Sequence, residues 1–251
     1  MIGTFRTRRD PIERALKAAA ARYVGLHPRF RWYARLKYRM DPCYRAIARH
    51  IGRDSFTVDL GTGLGMLPVL LGELGERRRA LGIEWDPEKL GCGLHAARGL
   101  PGVEMVEGDL HAFPLPACDV ITLVDVLHYY EADGQEPLLK RCRAALRPGG
   151  RLLIRESDGA RRGSARWTRI VETWATRMGW NRGPAVRFRP ISELRTALVE
   201  LGFRVDEDEV AGRLNPGNVL LVAETDENPQ SQWRILTTAR QMRAVSRQGR
   251  K

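Results

Sequence analysis

Three acids and a run of glycines are the first residues in this chain whose types and spacing could do chemistry. Phe56-Thr-Val-Asp-Leu-Gly-Thr-Gly-Leu-Gly65 places one carboxylate, Asp59, ahead of glycines at alternate positions, Gly61, Gly63 and Gly65, and an apolar segment follows. Glycine lets the backbone turn tightly and lets a guest approach it, so this is a cradle where a strand stops and a helix starts. A dinucleotide site needs a third glycine three places after the second. Counted from Gly61 that place holds Met66, and counted from Gly63 it holds Pro68. Asp59 also opposes a pyrophosphate, because a carboxylate just before the turn repels an anion at the helix N-terminus.

A ligand carrying an ammonium and a sulfonium beside a ribose and a purine suits such a cradle, and S-adenosylmethionine is that ligand. The next two strand ends agree. Glu84 falls 19 positions after Gly65, at the end of Arg79-Ala-Leu-Gly-Ile-Glu84, where a doubly wound unit places the acid that holds ribose hydroxyls. Trp85 follows it and could lie on a purine face. Val103-Glu-Met-Val-Glu-Gly-Asp-Leu110 then brings Asp109 to a third strand end, where it could accept a hydrogen bond from an exocyclic amine.

A second group lies after the fourth and fifth strands. His128, in Asp125-Val-Leu-His-Tyr-Tyr130, is the candidate base: it follows a strand at the edge where doubly wound sheets bind ligands, and imidazole titrates near neutrality. A packing or positioning role is the alternative. Asp125 could orient His128 or lie near the methionine portion of the cofactor, and the second is favoured. Tyr129 and Tyr130 could line an acceptor pocket or pack in the core. Glu156 and Asp158 could bind a polar acceptor or take its proton, and Arg187 and Arg189 could pair with an acceptor carboxylate or phosphate. Cys43, in Asp-Pro-Cys, precedes the cofactor motif in a lead-in helix, which argues against a cytosine-type nucleophile.

Alternating strands and helices must position these groups. Asp119-Val-Ile-Thr-Leu-Val124 is apolar on both faces, as a central parallel strand should be. Helices are expected over 67–74, 87–98, 135–146 and 191–201, and strands over 151–155, 203–205 and 218–224. Arg147-Pro-Gly-Gly150 should end its helix in a turn, and Asn215-Pro-Gly217 should turn a hairpin between the last two strands. Before the first strand the pattern is helical, with Leu16, Ala19, Ala20, Tyr23 and Val24 on one stripe and Phe30, Tyr33, Leu36 and Met40 on another. Asp41 and Pro42 restart the chain as a cap and a first-turn residue.

Val58-Asp-Leu-Gly-Thr-Gly-Leu-Gly65, Glu84, Gly108-Asp109-Leu110 and Arg147-Pro-Gly-Gly150, in order, resemble the motifs of the class I S-adenosylmethionine-dependent methyltransferases across roughly residues 54–224. The resemblance implies an α/β fold, a doubly wound, mainly parallel seven-stranded sheet with an antiparallel edge strand. It implies S-adenosyl-L-methionine as cofactor, with Leu110 beside Asp109 at the adenine edge, and an insertion over about 159–184, rich in tryptophan, that lies over the acceptor. On this reading residues 1–53 form a basic helical extension, 54–227 the cofactor-binding domain and 228–251 a basic tail.

Charge and cysteines narrow the partners. Residues 1–50 hold 13 Arg and Lys against 3 Asp and Glu, and residues 228–251 hold 6 against none, so the formal net charge of +12 sits on the extensions. An RNA acceptor would favour positive charge on the catalytic domain instead, and no Asn-Pro-Pro-Tyr loop follows the fourth strand, so nucleic acid is the less favoured acceptor. The reading is methyl transfer to oxygen or carbon of a small or acyl-carrier-bound acceptor. The aromatic and basic stretch 29–39 is a candidate dock for an acidic protein, a membrane surface or RNA. An RNA methyltransferase and a non-catalytic scaffold are the rivals. Four dispersed cysteines, no apolar run of membrane length and no signal-like N-terminus point to the cytoplasm; no metal site is expected.

Overall fold

The structure, a computed structural model, describes residues 10–75, 77–158, 188–210 and 217–227. Three helices lead in: α1 (Pro11–Ala21), α2 (Pro28–Met40) and α3 (Cys43–His50). There follow β1 (Phe56–Leu60), α4 (Met66–Leu74), β2 (Arg79–Glu84), α5 (Pro87–Ala97), β3 (Val103–Glu107) and β4 (Cys118–Val124). Then come α6 (Ala132–Ala145), β5 (Leu146–Ser157), α7 (Ile191–Glu200), β6 (Arg204–Glu209) and β7 (Asn218–Glu224).

The strands form one seven-stranded sheet in the order β3-β2-β1-β4-β5-β7-β6. β7 runs antiparallel between β5 and β6, and the other pairings are parallel. β1 and β4 lie side by side at the centre, and the chain leaves them in opposite directions across the sheet. Their carboxyl ends therefore open the crevice in which doubly wound sheets hold ligands.

Both faces are covered. Leu138, Leu139 and Cys142 of α6 and Leu194 and Leu198 of α7 pack with Ile121, Leu123, Leu152 and Ile154 on one face. On the other, α4 and α5 share a core with α1, α2 and α3. Ile47 of α3 and Tyr23 are fully buried there, in the same cluster as Leu153 of β5 and Leu220 and Val222 of β7. α3 is also tied to that half of the sheet by polar contacts. Arg151 donates to the His50 carbonyl at 3.1 Å, and His50 meets Asp208 of β6 at 3.3 Å.

Several elements differ from the sequence expectation. The buried stripe of α2 is Phe30, Ala34 and Tyr38, not Tyr33, Leu36 and Met40, and Met40 is exposed. The Tyr38 hydroxyl donates to the Met66 carbonyl at 2.6 Å, which turns that side of the helix inward. Val24 lies beyond the end of α1 and is exposed. α6 starts at Ala132, and β5 begins at Leu146, so Arg147-Pro-Gly-Gly150 falls inside the bounds of β5 as a break in its pairing with β4, with Gly149 turning at φ 71°. Its backbone is met by the segment just after β7: Thr225 donates to the Gly150 carbonyl and Gly149 to the Asp226 carbonyl. The tryptophan-rich insertion, Arg187, the turn at 215–216 and the tail 228–251 lie outside the described residues.

Candidate functional site

The glycine loop is held from below. Gly61 and Thr62 both donate to the Ile83 carbonyl, at 2.9 and 3.0 Å, so the turn after β1 is pinned to the end of β2. Gly65 sits at φ 72°, where a side chain is strained, and a Cβ there would lie 2.2 Å from the terminal carbon of Met105. Gly63 is different: at φ 57° a Cβ would meet nothing within 4 Å, so this residue faces open space. The loop thus has a packed side under Gly65 and a vacant side over Gly63, which is the shape a small-molecule cofactor needs.

Glu84 joins loop to strand. Its Oε2 accepts from Gly63 N at 2.7 Å, and its Oε1 accepts from Trp85 N and Asp86 N at 3.1 and 3.0 Å. A carboxylate has about four acceptor sites, so about one remains on Oε2 for an added hydroxyl. Trp85 is exposed beside it. Asp109 is exposed at the end of β3 and caps the following turn through His111 N at 2.9 Å. Leu110 is buried next to Gly61, and Arg141 of α6 donates to the Leu110 and Phe113 carbonyls, fixing that turn. Tyr130 packs edge-on to His111 at 4.5 Å, which places it on the Asp109 side of the crevice.

Asp59 is buried at the end of β1, beside Thr122 of β4. Its two oxygens accept from the hydroxyls of Thr62 and Thr122, each at 2.6 Å. Burial pushes its pKa up to about 6, against the pull of the Thr122 and Thr62 hydrogen bonds and with a push from Glu84. The acid braces the loop against β4 with neutral donors.

The ends of β4 and β5 carry a different arrangement. Asp125 has φ 59°, the one non-glycine among the described residues with positive φ. Its carboxylate pairs with Arg155, and its Oδ2 lies 3.5 Å from Lys37 Nζ. Arg155 is 2% exposed and also reaches Asp41 at 3.2 Å, and Lys37 reaches Asp41 at 3.0 Å. Two cations and two acids from α2, the α2–α3 junction, β4 and β5 therefore close a ring. Burial alone would raise both acids, but Arg155 and Lys37 hold Asp41 below the ordinary carboxylate range, and Arg155, Lys37 and His128 hold Asp125 at about 2. The candidate list from sequence lacks Arg155, Lys37 and Asp41 as a unit. Cys43, beside this ring, is fully buried, and its thiol pKa is raised by that burial, consistent with a structural cysteine.

His128 is 3% exposed on the 3-10 turn Leu127–Tyr129. Its Nδ1 lies 2.7 Å from Glu156 Oε2. The Glu156 Oε1 accepts from Val126 N at 3.0 Å and Leu127 N at 2.8 Å, so one carboxylate fixes both the turn and the ring. An ionised carboxylate only accepts, which assigns the proton to Nδ1 and leaves Nε2 as the basic nitrogen. Tyr129 and Phe188 pack on the imidazole at 4.4 and 5.1 Å. Asp158 caps α7 by accepting from Ile191 N at 3.3 Å. Among the described residues no cluster of His, Cys, Asp and Glu could hold a metal, and no helix is long and apolar enough to cross a membrane.

Residues 93–198 match the model of an O-methyltransferase domain. The mouse protein acetylserotonin O-methyltransferase is 44% identical over 57 residues, covering 23% of this chain and 15% of that protein. Demethylspheroidene O-methyltransferase of Rhodobacter capsulatus is 36% identical over 111 residues, covering 43% and 27%. The chain thus spans well under half the length of these curated relatives. Human N-acetylserotonin methyltransferase, solved in complex with SAM, superposes with a TM-score of 0.56 at 19% identity over 87% of this chain and 59% of that one.

Proposed function

We propose that this chain, which has the class I S-adenosylmethionine-dependent methyltransferase fold and an O-methyltransferase domain match, moves a methyl group from that cofactor to an oxygen of a small-molecule acceptor. The observation that carries the reading is the buried His128–Glu156 pair at the carboxyl edge of β4 and β5, on the rim of the crevice that the glycine loop opens.

When bound, S-adenosylmethionine supplies an electrophilic methyl on a positively charged sulfur; the chain must align a nucleophile and take its proton. We assign Gly61, Gly63 and Gly65 to the amino-acid and ribose side, Glu84 to the ribose hydroxyls, and Trp85, Asp109 and Leu110 to the purine. The open space over Gly63 and the remaining acceptor site of Glu84 support this fit. Asp125 is assigned to the methionine end. About a third of its side chain is still exposed, which leaves room for an ammonium beside Lys37 and Arg155. Asp59 then acts by holding the loop's shape.

His128 takes the acceptor's proton at Nε2. Glu156 holds the ring in the productive tautomer and stabilises the imidazolium that forms. Four buried, unpaired cysteines suit a reducing compartment, and the cytoplasm is the proposed location. The outer face of α2 adds a second reading for delivery. Arg31, Arg35 and Arg39 repeat at four-residue spacing beside Trp32, which is 67% exposed, and such a face suits an acidic carrier protein bearing the acceptor.

The test is methyl transfer from labelled S-adenosylmethionine to a panel of phenols, free and carrier-bound. His128→Gln should lower kcat by about 10²- to 10⁴-fold while S-adenosylhomocysteine binding stays unchanged. Transfer by neither protein would sink the reading, and equal kcat in both would remove His128 from it. Equal rates with free and carrier-bound phenol would dismiss the role of α2.

A further inference from the structure

We propose that Arg189 anchors a carboxylate or carbonyl oxygen of the acceptor beside the hydroxyl that His128 deprotonates, so that the acceptors are hydroxyl compounds with such an oxygen one to three atoms away. This rests on the methyl-transfer reading above. Next to His128 lies a narrow pocket, lined by His128, Gln135, Glu156, Ser157 and Arg189 with two leucines. The guanidinium Nε and Nη1 of Arg189 are buried and have no hydrogen-bond partner among the described residues. Its ion pair is a 3.5 Å contact from Nε to Glu193, a side chain 61% exposed, and a contact that long and wet contributes little.

The other polar side chains around the pocket already hold partners. Glu156 serves His128 and two backbone amides, and Ser157 Oγ donates to Asn218 Oδ1 at 2.6 Å. Gln135 is 3% exposed and spends its Nε2 on the Leu127 and Tyr130 carbonyls, each at 3.0 Å, which fixes the amide's orientation and leaves Oε1 buried with no partner. One pocket thus holds orphaned donors and an orphaned acceptor. Each buried polar group left unmade costs about 1–3 kcal/mol, so a ligand that brings an acceptor to the Arg189 N–H groups would recover that part of the cost.

An arginine fork matches a planar carboxylate, and the chemistry of the lining selects that group over an apolar one. Placement follows from the chain. Phe188 packs tilted against the His128 ring at 5.1 Å, and the next residue, Arg189, lines the same pocket as the imidazole. An anion held there would present a neighbouring hydroxyl to the base.

The experiment compares 2-hydroxybenzoate with phenol for the wild type, Arg189→Met and Arg189→Lys. Calorimetry of 2-hydroxybenzoate binding in the presence of S-adenosylhomocysteine gives a readout that needs no turnover. A lost charge-assisted hydrogen bond corresponds to about 10- to 100-fold. Arg189→Met should therefore raise KM and Kd for 2-hydroxybenzoate by that factor and leave kcat/KM for phenol within about threefold, with Arg189→Lys in between. Equal losses for both compounds would overturn the proposal. So would phenol methylation by a wild type that neither binds nor methylates 2-hydroxybenzoate, a result that leaves methyl transfer standing. Arg189-dependent binding of 2-hydroxybenzoate without transfer to either compound would support the anchor and sink the methyl-transfer reading.

Discussion

Asp59 and Asp125 end neighbouring strands of the same sheet, yet their surroundings push them in opposite directions. Asp59 is buried among neutral donors, two threonine hydroxyls, and its pKa rises to about 6. Asp125 is paired with Arg155 and Lys37 and falls to about 2. The half of the crevice around the glycine loop is thus built from hydroxyls and amides, while the half at β4 and β5 is built from ion pairs. A carboxylate satisfied by neutral donors leaves its charge uncompensated. The ion-paired half neutralises its own charges and, in doing so, ties α2 to the rim of the site.

Replacing Arg155 should break this contrast most severely. Arg155→Met leaves Asp41 and Asp125 together with Lys37 as their one remaining cation, a loss of about 3–5 kcal/mol, whereas Asp59→Asn should cost about 1 kcal/mol or less. Denaturant melts of the two variants measure the difference, and equal losses would erase the distinction. Gly65→Ala comes next. The left-handed backbone alone costs about 1–3 kcal/mol, and Met105 must also move, so cofactor affinity should fall along with stability.

The smallest effect is on pH dependence, and its sign differs between the two acids. Asp125 has a depressed pKa, so its contribution is present above the ordinary value near 3.8 and is lost as pH falls toward about 2. Asp59 has a raised pKa, so the folded state holds its proton more tightly, and stability should fall as pH rises from about 3.8 to about 6. Thermal melts of Asp125→Asn should flatten the first slope and those of Asp59→Asn the second. Slopes unchanged by either substitution would contradict the assignment of these two partners.

What was legible in the sequence tracks the same divide. The glycine loop, Glu84 and Asp109 were readable because their geometry is local: glycines at alternate positions and acids at the ends of short apolar runs carry their own register. Glu156 was visible as an acid following the apolar run of β5, but its grip on His128 and on the Val126 and Leu127 amides was not, because those groups lie 28 to 30 residues away. Arg155 reaches Asp41 across 114 residues, and nothing in its immediate neighbours names that partner. An arginine directly after the apolar run Leu152-Leu-Ile154 was the available signal. The face of α2 was misplaced because aromatic spacing suggested one stripe, while small Ala34 and the Tyr38 hydroxyl select another.

α3 has a further bearing on how the chain can be shortened. It covers the part of the sheet where Leu153, Leu220 and Val222 lie, and residues 10–53 are, in packing terms, a wall of the domain. A chain begun at residue 54 would offer that hydrocarbon to water across adjacent strands. Such a fragment is expected to stick to copies of itself rather than persist as a smaller enzyme.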